Sequence, residues 1–270
     1  MGIVNVTPDS FSDGGTLLDP ARAVEAAVQM VADGADLLDV GGESTRPGAE
    51  PVGEDEEMRR VLPVIERLAG RVTVPISIDT YKPAVAEAAL RAGASIVNDI
   101  SGLRYEPALA GVVARHGAAV VLMHTRGRSR DMYKDAVYHE VVDEVLDELR
   151  ESMAFATGAG IPLPRIIVDP GLGFAKEPVH TYEVLARLDE FGELGRPLLV
   201  GPSRKRFLTR PFDLARKPTG EMPAFDREWA TAAAVSAAVV GGAHIVRVHA
   251  VREMTQVARV SDEIQKYHRD

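Results

Sequence analysis

Eight short apolar runs recur along this chain, each followed by a longer segment of helical periodicity, and this alternation constrains the fold more than any other feature. The runs are Gly2–Val6, Leu37–Val40, Ile76–Asp79, Ile96–Asp99, Ala119–Met123, Ile166–Asp169, Leu198–Val200 and Ile245–Val248. Stretches such as IIVD, LLVG and IVRV lack apolar–polar alternation, as strands covered on both faces do. Amphipathic helices are predicted at Ala21–Ala32, Asp55–Ala69, Ala84–Ala92, Ala108–Arg115, Tyr138–Thr157, Val179–Leu188, Glu228–Val240 and Met254–Tyr267. Strands alternating with helices pair in parallel through crossovers. Eight such units in 270 residues predict an α/β fold, a single (β/α)₈ TIM barrel with one domain over residues 1–270 and a site at the C-terminal mouth of the strands.

The punctuation agrees. A Gly-Ala pair ends a helix and precedes a strand at Gly34, Gly93, Gly117 and Gly242, where a helix C-cap favours a left-handed residue. Residues 209–226, with Pro211, Pro218 and Pro223, read as a long loop after the seventh strand. Met1 directly precedes the first strand, so the barrel floor is minimal or the natural chain starts earlier. No apolar run is long enough to span a membrane and no secretory leader is visible. There are no cysteines, which excludes disulfides, thiolate catalysis and zinc–sulfur sites and fits a reducing cytoplasm. The formal net charge of -9 argues against nucleic acid as the partner, and an anionic substrate would need locally gathered cations.

Every strand delivers a polar residue to one end: Asn5, Glu43, Asp79, Asn98 with Asp99, His124, Asp169, Ser203 and His249. In barrels of this kind that face carries the chemistry. Turns also need polar residues, so Glu43 and Asp99 equally fit caps, and His124 fits a packed histidine better than a catalytic one. Asp79, Asn98 and Asp169 end buried runs, where an unpartnered polar group is costly. The cations gather too. Ser203-Arg204-Lys205-Arg206 follows the seventh strand, Arg247 and His249 alternate to one side of the eighth, and Arg46 lies after the second. Phosphate sites in such barrels use the loops after strands seven and eight, and arginine matches phosphate through its planar donors. The residues alone therefore point to an anionic, phosphorylated substrate. A solvated helix start would also explain SRKR, against the helix dipole. Two Gly/Pro-rich loops, NVTPDSFSDGG and GGESTRPGAEPV, and a third, DPGLGFAK, border the mouth. Phe11 is a rim anchor or a ligand contact, and the third loop brings Phe174 and Lys176 towards the mouth. GLGF lacks the spacing of a dinucleotide fingerprint.

Taken in order, NVTPDSFSDGG, GGESTRPGA, SIDT, IVNDI, VLMH, DPGLGFAK, GPSRKRFL and RVH make the chain resemble the dihydropteroate synthase family over nearly its whole length. The resemblance implies a transferase of folate biosynthesis that condenses (7,8-dihydropterin-6-yl)methyl diphosphate with 4-aminobenzoate, with Mg²⁺, as a cytoplasmic homodimer and sulfonamide target. It implies that Asp79, Asn98, Met123, Asp169 and Lys205 bind the pterin. It gives the diphosphate to Asn5, Arg247 and His249, with Asn5 also at the metal. Phe11, Thr45, Arg46, Pro47, Phe174 and Ser203 would frame 4-aminobenzoate. The family commonly has an acid after RVH, where this chain has Ala250. A pterin-dependent methyltransferase domain would share the Asp and Asn contacts but would need neither SRK, RVH nor the STRPG loop, and no cobalamin motif is present. A catalytically silent paralogue would show losses at Lys205, Arg247 or the loops, and none is lost.

Overall fold

The apolar runs become strands whose outer faces pack on helices and whose inner faces fill a barrel. The computed structural model describes residues 1–7, 19–45, 49–128, 132–213 and 227–267. Six parallel strands follow chain order: β1 (Gly2–Asn5), β2 (Leu38–Gly41), β3 (Ile76–Asp79), β4 (Ile96–Asp99), β5 (Ala119–Met123) and β6 (Ile166–Asp169). β7 (Leu199–Val200) and β8 (Ile245–Val246) form a second parallel pair. Single parallel bridges, Val168 to Leu198 and Gly2 to Val248, join that pair to the six and complete the ring. The seventh and eighth strands are shorter than their apolar runs because the ladder there is reduced to these bridges.

Outside the ring lie α1 (Pro20–Ala32), α2 (Glu54–Ala69), α3 (Pro83–Arg91), α4 (Ala108–His116), α5 (Val141–Gly158) and α6 (Pro178–Ala186). α7 (Glu228–Val240) and α8 (Val251–Gln265) complete the set. Their stripes follow helical spacing: α2 buries Val61, Val64, Ile65 and Leu68. Its first turn is acidic, with Glu54, Asp55, Glu56 and Glu57, favourable at a helix N-terminus. All four Gly-Ala glycines adopt positive φ, as the cap reading requires. After β7 the expected loop is partly helical: Arg206–Thr209 forms a 3₁₀ turn and Arg210–Asp213 an α-turn. Residues 214–226 lie outside the described ones.

Two apolar layers position the site. The larger core lies between strands and helices. A separate small cluster, Met1, Ile96, Val121 and Leu199, fills the barrel floor, with Leu37, Ile167 and Ile245 against it. Because side chains alternate along a strand, the residue two positions beyond each floor residue also faces inward. That rule places Asp39, Asn98, Asp169 and Arg247 directly above Leu37, Ile96, Ile167 and Ile245. The register aligns Asn5 with Gly41, Gly41 with Asp79, Asp79 with Asn98, and Met123 with Asp169. Asn5, Asp79 and Asn98 thus share one register level above an apolar floor, and Asp169 stands two residues further along its strand.

Candidate active site

At the centre of the mouth, Arg247 is stretched between two carboxylates. Its Nε donates to Asp39 Oδ2 at 2.6 Å and its Nη2 to Asp79 Oδ2 at 2.8 Å. Asn98 Nδ2 donates to the same Asp39 oxygen at 2.9 Å. The pairing is costly to break, since each partner would leave a buried charge uncompensated. Burial pushes the Asp79 carboxyl up to about 7, even with Arg247 pulling it down. Asp39 Oδ1 and Ser77 Oγ are buried with no hydrogen-bond partner among the described residues, so polar capacity is left over in the site.

Asp169 is buried beside Met123, and its Oδ1 accepts the Gly171 N–H at 2.7 Å. Burial raises its pKa, with Lys205 opposing. Lys205 donates to Leu172 O and sits 4.3 Å from the centre of the Phe174 ring, a cation–π contact. Burial lowers its pKa to about 8, while Asp169 and Asp79 hold the proton on and Arg247 works against them. Lys205 is therefore mainly an ammonium at neutral pH. Arg204, before it, has φ of 60°. That unfavourable conformation for a non-glycine residue is held by α7: the Arg204 N–H donates to Thr231 Oγ1, and its guanidinium pairs with Glu228.

Ser203 Oγ lies 2.8 Å from His249 Nδ1 and accepts the His249 N–H at 3.2 Å, tying the loop after β7 to the end of β8. Asn5 ends β1, half-buried, at the level of Gly41. Sequence reasoning grouped Arg247 with His249. The structure gives Arg247 to the carboxylates and His249 to Ser203, because β8 pairs with both β7 and β1 and its successive inward residues stand at different depths. Thr45 is half-buried in the loop after β2. Phe11, Arg46 and Pro47, assigned to the second substrate, lie outside the described residues.

The three unassigned ring members resolve into supports. Asp99 accepts from Ser101 N (2.8 Å), Ser101 Oγ (2.7 Å) and Leu103 N (2.6 Å), capping the turn after β4. Burial raises it to about 6 against these bonds. Glu43 accepts the Val52 N–H at 3.0 Å and the Tyr81 hydroxyl at 3.1 Å, and pairs with Lys82. Lys82 pairs with buried Glu57 of α2 as well. This closes the base of the STRPG loop: Glu43 at its entry grips Val52 at its exit. Lys82→Met would leave Glu43 and buried Glu57 without their shared counter-charge and is expected to cost about 3–5 kcal/mol of stability, read from melting curves. His124, placed under the mouth, is buried against Lys176. Burial, then Lys176, hold it down at about 3, so its imidazole is neutral. Lys176 does not reach the mouth: it is 1% exposed and turns beneath its loop.

Sequence reasoning missed Asp39, Lys82 and the buried role of Lys176. Asp39 lies inside an apolar run, two residues beyond the floor residue Leu37. That spacing is the signal that marks it as inward-facing. Lys82 and Lys176 carried none, since a lysine after a strand is ordinarily solvated.

The pterin binding enzyme family profile matches residues 1–249. A dihydropteroate synthase from Bacillus subtilis is 46% identical over 97% of this chain and 87% of its own length. That from Escherichia coli is 44% identical over 96% and 89%. Among solved structures, the Yersinia pestis dihydropteroate synthase with a sulfonamide drug superposes with a TM-score of 0.91 at 38% identity, covering 98% of this chain and 93% of that one. The Xanthomonas albilineans enzyme with 4-aminobenzoic acid gives 0.89 at 43% identity, covering 99% and 93%. The chain belongs to the dihydropteroate synthase family of pterin binding enzymes.

Proposed function

We propose that this chain is a dihydropteroate synthase, joining (7,8-dihydropterin-6-yl)methyl diphosphate to 4-aminobenzoate with release of diphosphate, residues 1–270 working as one pterin-binding barrel. The observation that carries the reading is the polar layer formed by Asp39, Asp79, Asn98, Asp169, Lys205 and Arg247 above a closed apolar floor. Relatives that cover almost the whole chain bear the same activity in name, and the Xanthomonas albilineans enzyme has been solved with 7,8-dihydropteroate.

Asp79, Asn98 and Asp169 take the amide-like edge of the pterin. Mispaired rings are rejected because they would leave these buried groups without partners. Met123 lines the ring and Lys205 donates to its carbonyl side. The carbon–oxygen bond to diphosphate breaks and charge grows on the leaving group. Arg247, whose Nη1 is outside its two carboxylate contacts, together with His249 and Asn5, stabilises that charge. The arylamine nitrogen bonds to the methylene carbon and releases a proton. Phe174, Ser203 and Thr45, with Phe11, Arg46 and Pro47, hold the arylamine in line, which supplies proximity.

The described residues contain no cluster of three or more His, Asp or Glu able to hold a metal. That fits Mg²⁺ bound chiefly through substrate phosphates and water, to which a hard oxygen such as the Asn5 amide adds one ligand. When bound there it would supply Lewis-acid stabilisation of the diphosphate. Exposed Trp229 on α7, Val260 and Ile264 on α8, and Tyr267 just after it suit burial in a homodimer. No helix among the described residues is long and apolar enough to cross a membrane, and the lack of cysteine suits the reducing cytoplasm, where we place the enzyme.

Incubation with the pterin diphosphate and labelled 4-aminobenzoate is expected to yield labelled dihydropteroate. Chelation is expected to stop it and Mg²⁺ to restore it. Absence of product with Mg²⁺ present would reject the assignment, and an unchanged rate after chelation would reject the metal.

A further inference from the structure

The loop after β6 has little regular structure of its own. Gly171 and Gly173 have φ of 69° and 73°, and Ala175 has φ of 47°, a conformation that costs a non-glycine residue energy and survives only where surroundings impose it. A side chain cannot be added at Gly171, since a Cβ would lie 2.0 Å from His124 O. The surroundings that impose the shape are side chains. Five consecutive carbonyls, 171 to 175, each accept a hydrogen bond from one. Lys176 Nζ donates to Gly171 O at 3.3 Å and to Phe174 O at 3.2 Å. Lys205 Nζ takes Leu172 O, the Tyr133 hydroxyl takes Gly173 O at 3.1 Å, and the Tyr138 hydroxyl takes Ala175 O at 2.9 Å.

Lys176 is the centre of this arrangement. Its third partner is His124 Nδ1 at 2.7 Å, and burial drives the lysine's pKa well below its ordinary value. Beyond His124, Glu148 of α5 lies 3.2 Å from Nε2 and pairs in turn with Arg104 and Arg126. The loop that Lys176 grips carries both the carbonyl that holds Lys205 and the ring beneath it.

Building on the synthase reading above, we infer that Lys176 is a positioning residue: by gripping Gly171 O and Phe174 O it sets Leu172 O and the Phe174 ring, and through them the place of Lys205 at the pterin. Lys176 touches no substrate itself.

The Lys205 ammonium faces Asp169 on β6, Asp79 on β3, Arg247 on β8 and, across the loop, Lys176. The test measures kcat/KM for the pterin diphosphate against pH in wild type, Lys176→Met and His124→Leu, with melting curves to confirm folding. Wild type should lose activity as pH rises through about 8. Lys176→Met should fall about 100-fold, the usual scale for misplacing a reacting group by an ångström. Its alkaline limb should move to lower pH, because Lys205 loses a carbonyl that stabilised its charge. His124→Leu keeps the lysine's hold on the loop and should shift the limb the same way by less. An unmoved limb in a folded variant overturns the inference. So does an upward shift, the sign expected if Lys176 acted only as a nearby positive charge. A wild type that makes no dihydropteroate would instead defeat the synthase reading.

Discussion

Lys205→Ala is expected to lower kcat/KM for the pterin diphosphate about 1,000-fold, roughly 4 kcal/mol of transition-state stabilisation. Two losses combine. The ammonium proposed to donate to the pterin carbonyl side disappears, and so does the donor that holds Leu172 O over the barrel mouth. Asp169, which leans on Lys205 as its counter-charge, would see its carboxyl rise further in pKa, weakening its hold on a donor edge of the ring. KM for 4-aminobenzoate should change less, because only the Phe174 wall connects it to Lys205. Single-turnover kinetics with each substrate varied separates these effects, and activity within tenfold of wild type would remove Lys205 from the pterin.

Arg247→Ala is expected to cost both activity and stability. The activity loss should fall on the diphosphate-bearing substrate more than on the arylamine. Equal rises in both KM values would count against a diphosphate contact. The stability loss follows from the two carboxylates left behind. Removing one partner of a buried ion pair commonly costs about 3–5 kcal/mol, and Asp39 and Asp79 would then face each other unneutralised. The pH dependence has a definite sign. Burial already raises the Asp79 pKa to about 7, well above the roughly 3.9 of an unfolded aspartate. Such a group binds more protons folded than unfolded, so its contribution to stability falls as pH rises between the two values. Without Arg247 the raised pKa climbs further. Arg247→Ala should therefore melt higher at about pH 5 than at about pH 8, and the gap should shrink when Asp79→Asn is added.

These two outcomes rest on different levels of legibility. Lys205, Arg247 and His249 could be picked out because motifs follow strand ends, and strand ends in a parallel barrel converge on one face. The same logic found Asp79, Asn98 and Asp169. It does not reach Asp39, which stands inside an apolar run two residues before the end of β2. It also could not tell whether Glu43, Asp99 and His124 serve substrate or scaffold, since a polar residue after a strand suits either use.

The sequence by itself determined the eight strands, most of the helices and the face on which chemistry would gather, because side-chain period and glycine punctuation are local properties of a chain. It also determined the family, since ordered motifs survive without coordinates. Only the tertiary structure decided who pairs with whom. Arg247 meets Asp39 across 208 residues of chain and Asp79 across 168, and Lys176 meets His124 across 52. Such partnerships depend on strand register and ring closure. Whether a given lysine or carboxylate is solvated, paired or buried as a support is therefore settled by the neighbours that closure brings to it.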